Sequence, residues 1–279
     1  MPHNIIEKSI NINGSNIAYT VIGEGNSKPI FMVHGLLSNG RDYDALALRL
    51  AEKGYKCVAI DLPGRGKSDW FRYKKFYKAK NYVQYCLGVI KEEFGTEPFD
   101  WFGVSLGGIL GMSLCTVPGV NIKRLITVDV GAQIPYKALN KIAKYAKVET
   151  TFKTHDQALS FLKSRCASWG IEQQSTWDHL AKHNITHHHD AYHMHYDPQI
   201  CDALPKWNFT VRLWFFWKKI KQPVILIRGK SSNLLSEKIM SKMQKKYKGT
   251  DLKTITIPNC GHVPNLIEDN QVSLVLPHF

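Results

Sequence analysis

The chain of 279 residues is 44% hydrophobic and 11% aromatic, which supplies a sizeable core and excludes an intrinsically disordered protein. Its 37 Lys and Arg outnumber 23 Asp and Glu for a formal charge of +14, but 29 of those cations are lysines scattered along the chain, so no nucleic-acid partner is expected. Six cysteines form no Cys-x-x-Cys pair, and neither a secretory leader nor an apolar run of about 18 residues occurs; a disulfide scaffold and a membrane span are excluded, and a cytoplasmic protein is predicted.

Two strands are predicted first, around Ile5–Ile10 and Ile17–Val21, followed by Pro29–Val33 and Lys56–Ile60, each a short apolar run ending at a polar or glycine-containing loop. After the third strand stands His34-Gly35-Leu36-Leu37, where glycine lets the backbone approach a substrate and the N–H of Leu36 becomes a candidate oxyanion donor. His34, at the strand end, reads as an internal hydrogen-bonding residue. The run Arg72–Lys80 interleaves aromatic and basic side chains and reads as a solvated face rather than a single-strand-binding stripe.

The fifth strand, Phe99–Gly103, leads directly into Gly103-Val104-Ser105-Leu106-Gly107 and then the helix-compatible run Gly108–Met112. Gly-x-Ser-x-Gly between a strand and a helix makes a sharp turn that lifts the serine hydroxyl out of the sheet, with the N–H of Leu106 free to donate to an oxyanion. Ser105 is therefore the candidate nucleophile. The sixth strand, Leu125–Val128, ends at Asp129, the candidate acid.

Between Gln133 and Lys221 the strand rhythm stops, and residues 133–220 read as a helical cap inserted between two core segments, 1–132 and 221–279. The cap carries His179, His183, His187, His188, His189, His193 and His195, several at i, i+4 spacing; this is read as a polar surface, with no metal assigned. Its aromatic group, Trp207, Phe209, Trp214, Phe215, Phe216 and Trp217, is read as cap-to-core packing, with one or two rings lining an acyl pocket.

Strands Val224–Ile227 and Leu252–Ile257 complete the core. The turn Gly229–Ser236 between them lacks a carboxylate: Asn233 carries no charge to balance an imidazolium, and Glu237 reads as the first turn of a helix. Gly261-His262 follows the last strand, and a glycine-flanked loop there brings an imidazole to the sheet edge, so His262 is the candidate base.

Together His34-Gly35, Asp61-Leu62-Pro63-Gly64-Arg65-Gly66-Lys67-Ser68-Asp69, the turn at Ser105, Arg228-Gly229 and Gly261-His262 resemble the α/β-hydrolase superfamily, in its small esterase-like members, over nearly the whole chain. The resemblance implies an eight-stranded, mostly parallel sheet with helices on both faces, a helical cap after the sixth strand and the order serine, acid, histidine, which Ser105, Asp129 and His262 follow. The Asp61–Asp69 segment is a structural turn in that family. The expected chemistry is hydrolysis of an ester or thioester with an apolar portion through an acyl-enzyme, without a cofactor. Lactone or carbon–carbon bond hydrolysis on the same residues, or a slow-turnover ligand-binding or receptor protein, are the alternatives.

Overall fold

The computed structural model describes residues 4–146, 150–206 and 208–279, without the side chain of residue 145. A hairpin, β1 (Ile5–Ile12) and β2 (Ser15–Ile22), leads into β3 (Lys28–Val33), α1 (Asp44–Ala51), β4 (Tyr55–Ile60), α2 (Ala79–Phe94), β5 (Phe99–Val104), α3 (Leu106–Leu114) and β6 (Ile122–Val128). The long insert then contains β7 (Gln133–Ile134), α4 (Tyr136–Ala146), β8 (Thr151–Phe152), α5 (His155–Arg165), α6 (Gln174–Asn184), the hairpin β9 (Ile185–His188) and β10 (Ala191–Met194), α7 (Gln199–Asp202), β11 (Val211–Arg212) and α8 (Trp214–Trp217). The chain returns through β12 (Val224–Gly229), α9 (Glu237–Lys246), β13 (Leu252–Ile257) and α10 (Asp269–Val275).

The main sheet has eight strands in the order β1-β2-β4-β3-β5-β6-β12-β13, one for each strand predicted from the apolar runs. Only β2 opposes its neighbours; from β4 to β13 every pairing is parallel. Parallel strands need crossovers, and helices supply them on both faces, so the central strands are buried on both sides. Alternation sorts their side chains: Phe31, Trp101, Leu125 and Leu226 join the apolar cluster under α2 and α3, while Met32, Phe102, Ile126 and Ile227 join the one under α1 and α10. Truncation of the fully buried Trp101 to alanine would cost about 3–5 kcal/mol.

The insert is less purely helical than predicted. None of its strands enters the main sheet; β8, β10 and β9 form one small sheet, and β11 pairs with β7. The histidine-rich stretch divides accordingly: α6 carries His179 and His183, whereas His187, His188 and His193 lie on the β9–β10 hairpin and His189 at its turn, with the rings of His188 and His193 stacked at 3.9 Å. Alternation across the hairpin overrode the i, i+4 spacing, placing His188 and His193 on the face opposite Ile185 and Met194 and His187 on the same face as those two.

Candidate active site

The C-terminal ends of β3, β5, β6 and β12 converge on one edge of the sheet, where parallel α/β sheets collect their functional groups. Ser105 stands at the end of β5 with φ 48° and ψ −106°, a left-handed conformation that non-glycine residues occupy only when the surroundings enforce it. The enforcement is visible on both sides. A Cβ on Gly107 would lie 2.1 Å from the Val33 carbonyl oxygen, and one on Gly103 would lie 2.3 Å from the Gly107 backbone, so only glycine lets α3 start this close to the sheet. Trp101 Nε1 donates to the Gly107 carbonyl at 3.0 Å, and Ser105 N–H donates to Val128 O at 2.9 Å, pinning the turn to β5 and β6. Leu106 begins α3, so its N–H belongs to the first turn, where no intrahelical acceptor exists.

Asp129, at the end of β6, also has a positive φ of 53° and no solvent exposure. A buried carboxylate needs its acceptor capacity filled, and here three donors fill it. Gly229 N–H donates at 3.0 Å to Oδ1, Ser232 Oγ at 2.7 Å to Oδ2, and His262 Nδ1 lies 2.7 Å from Oδ2. That contact places the imidazole proton on Nδ1 and leaves the Nε2 lone pair as the basic site. The loop carrying His262 is itself clamped by the insert: Ser168 Oγ donates to the His262 carbonyl at 2.6 Å, and Gly261 N–H donates to Ser168 O at 2.6 Å.

Ser105 and His262 both face a cavity of about 620 Å³, walled by the core through Leu36, Leu37 and Leu234 and by the insert through Ile142, Arg165 and Trp169. Gly35, on the loop after β3, stands beside the nucleophile turn, a Cβ there falling 3.8 Å from Ser105 Cβ. That loop is held by Arg65, fully buried, whose Nε donates to the Leu36 carbonyl at 2.9 Å while its guanidinium lies 4.7 Å from the Tyr82 ring centre. The Arg65 bond orients the Leu36–Leu37 peptide, and the 2.6 Å contact of His34 Nδ1 with Gly35 O orients the Gly35–Leu36 peptide that carries the Leu36 N–H.

A family model described as Serine aminopeptidase, S33, matches residues 26–266. The chain belongs to this α/β-hydrolase family. It is similar to the 3-hydroxybutyrate-oligomer hydrolase of Cupriavidus necator, with 29% identity covering 94% of this chain and 92% of that protein. A crystallised protein from Rickettsia typhi superposes with a TM-score of 0.87 at 30% identity, covering 100% of this chain and 98% of its own. An α/β hydrolase from Novosphingobium aromaticivorans shares the fold, with a TM-score of 0.84 at 24% identity and 98% and 97% coverage.

In this hydrolase the remaining sequence expectations divide. His34 is an internal residue, as read: Nε2 accepts from Leu62 N–H at 2.9 Å, Nδ1 lies 2.6 Å from Gly35 O, and burial lowers its pKa to about 3, keeping it neutral. The Asp61–Asp69 segment is the structural turn expected, Asp61 accepting from Gly40 and Lys67 N–H groups at 2.7 and 2.9 Å. Glu237 opens α9 behind a Ser236 cap, and Asn233 borders the cavity.

The aromatic group of the insert packs on the core through Trp217, as expected, but supplies no ring to the cavity. Trp207 lies outside the described residues, and none of the others lines the cavity. Phe209 and Phe215 are 63% and 65% exposed, while Trp217 is buried and donates to Met243 O at 2.9 Å, docking the insert on α9 away from the cavity. Apolar lining comes instead from leucine, isoleucine and valine, which carry no individual signal in sequence, and from the ring of Trp169.

Sequence reasoning also missed Ser232, Ser168 and the site-supporting part played by Arg65. The first and last sit inside motifs already recognised, so position in those turns was the available signal; Ser168 had none. Among the described residues Asp44, His179 and His183 bring possible metal-ligand atoms within 4.8 Å of one another, but Arg41 already bonds Asp44 Oδ2 at 2.7 Å, and its carbonyl lies 2.8 Å from His179 Nε2. A cation there would compete with a guanidinium. No helix among the described residues is long and apolar enough to cross a membrane.

Proposed function

We propose that this α/β-hydrolase cleaves carboxylic esters through a Ser105–His262–Asp129 triad and an acyl-enzyme. The observation that carries the reading is the 2.7 Å pairing of His262 Nδ1 with a fully buried, three-fold hydrogen-bonded Asp129, while the imidazole and Ser105 border one cavity. His262 Nε2 takes the hydroxyl proton as Ser105 Oγ bonds to the carbonyl carbon. The N–H groups of Leu36 and Leu106 receive the oxyanion, and the imidazolium returns its proton to the departing alcohol. Water, deprotonated by the same Nε2, then splits the acyl-enzyme to the free acid.

The similarity to a hydrolase of 3-hydroxybutyrate oligomers favours a short hydroxyacid ester over other carbonyl substrates. Leucine, isoleucine and valine on the cavity wall suit an apolar portion of such a substrate. In this reading residues 133–220 act as the cap over the core of 1–132 and 221–279, and the six unpaired cysteines suit a cytoplasmic location. The test is a chain-length series of p-nitrophenyl esters with a fluorophosphonate label. We expect turnover of short chains and a covalent adduct mapped by mass spectrometry to Ser105. One equivalent of p-nitrophenol released with no further turnover would favour a receptor, and fluorophosphonate labelling elsewhere would end the proposal.

A further inference from the structure

The cavity wall has a lopsided charge. Lys141 on α4 and Arg165 at the end of α5 border it, and none of the described residues lining it is an aspartate or glutamate. Asp129, the acid nearest the chemistry, is sealed behind His262 with its acceptors filled.

Arg165 is the unusual member. Its Nη1 is shut off from solvent without a hydrogen-bond acceptor, and among the described residues no carboxylate lies within 4.0 Å of its guanidinium. The Cys166 thiol and Tyr196 lie against the group, the Tyr196 ring 5.6 Å from the guanidinium carbon and its hydroxyl buried with no hydrogen-bond partner. Asp42 acts on it only at longer range, and that carboxylate is buried and accepts from Asn184 Nδ2 at 3.1 Å. The other arginines of the core each reach an acceptor: Arg65 two carbonyls, though its Nη2 has none, Arg124 the Asp100 carboxylate, and Arg228 two carbonyls. A planar five-donor fork with a free donor and no carboxylate partner on a cavity wall matches one ligand group above others, a carboxylate.

We propose that Arg165 anchors a free carboxylate of the substrate, so that the enzyme selects esters carrying a second, anionic group a few bonds from the scissile carbonyl. This rests on the ester-hydrolase reading above. The ligand is then a monoester of a dicarboxylic acid, or a hydroxyacid ester with its own free acid end, and Ser105 attacks one end while Arg165 in the insert holds the other.

The experiment compares ethyl hexanoate with monoethyl adipate, and ethyl pentanoate with monoethyl glutarate, by pH-stat on the native protein, Arg165→Gln, Arg165→Lys and Ser105→Ala. The native enzyme is expected to prefer the anionic member of at least one pair by about tenfold or more in kcat/KM, the scale of one charged hydrogen-bond pair. In Arg165→Gln that ratio falls about tenfold through KM, and Arg165→Lys recovers part of it. Should Arg165→Gln fail to fold, inhibition of the native enzyme decides: N-ethyl adipamate is expected to have a Ki about tenfold below that of N-ethylhexanamide. No preference for anionic esters or amides in the native enzyme, or equal losses on both esters in Arg165→Gln, overturns the carboxylate anchor while leaving the hydrolase reading intact. Turnover that survives Ser105→Ala overturns the reading beneath it.

Discussion

The two sides of the cavity are built to different rules. On the core side the groups nearest the reaction centre are paired: Asp129 has three donors, His34 two partners, and the Leu36 carbonyl a buried guanidinium, although Nη2 of that Arg65 has no acceptor. On the insert side Arg165 and Tyr196 keep buried polar atoms with no partner. Saturated groups are positioned by the protein alone, whereas unsaturated ones leave bonding capacity for something the protein does not contain. The contrast suggests that reaction chemistry belongs to the core and substrate choice to the insert.

That contrast breaks most sharply at the nucleophile. Ser105→Ala should lower kcat for a short p-nitrophenyl ester by about 10⁵-fold or more while the thermal midpoint stays within a few degrees, because only one hydroxyl is lost. A surviving rate within tenfold of native would place the chemistry elsewhere. Asp129→Asn comes next, with kcat down about 10⁴-fold, since an amide no longer holds the Nδ1–H tautomer or balances an imidazolium. Near-native activity in that variant would show that another group orients His262.

A third effect is thermodynamic and tests how completely the core seals its polar groups. Burial holds the His34 pKa at about 3, against about 6.5 for an unfolded histidine. As pH falls below 6.5 the unfolded chain takes a proton that the native state refuses, so stability is lost progressively down toward pH 3. Urea denaturation at pH 7 and pH 4.5 should show that fall shrinking by about 2–3 kcal/mol in His34→Gln, with the His183 contribution common to both proteins. An unchanged difference would mean that His34 is hydrated in solution. The smallest effect sharpens the boundary between the two sides: Ser168→Ala removes the bond to the His262 carbonyl and should reduce kcat about threefold to tenfold with KM little altered. A change confined to KM would assign Ser168 to substrate contact instead.

Legibility in the sequence followed the same division. The eight core strands were readable because each is a short apolar run closed by a turn, and Ser105, Asp129 and His262 because each stands where such a run ends. The structure sets Asp129 against His262 and gathers Ser105 and His262 around one cavity, the juxtaposition that the chain order anticipated. The insert resisted. Its short strands carry polar histidines whose spacing also fits a helix, and of its conspicuous aromatic rings Trp217 docks on α9 while Phe209 and Phe215 are exposed, none of them facing the cavity. Arg165 gives no signal at all in one dimension; its meaning depends on which acids fold near it.

The double bond pattern between residue 168 and the histidine loop has one more implication. Because Ser168 grips both Gly261 and His262, a swing of the insert that widened the entrance would drag the imidazole along with it. On the proposed triad, the position of the insert and the aim of the imidazole are thereby coupled.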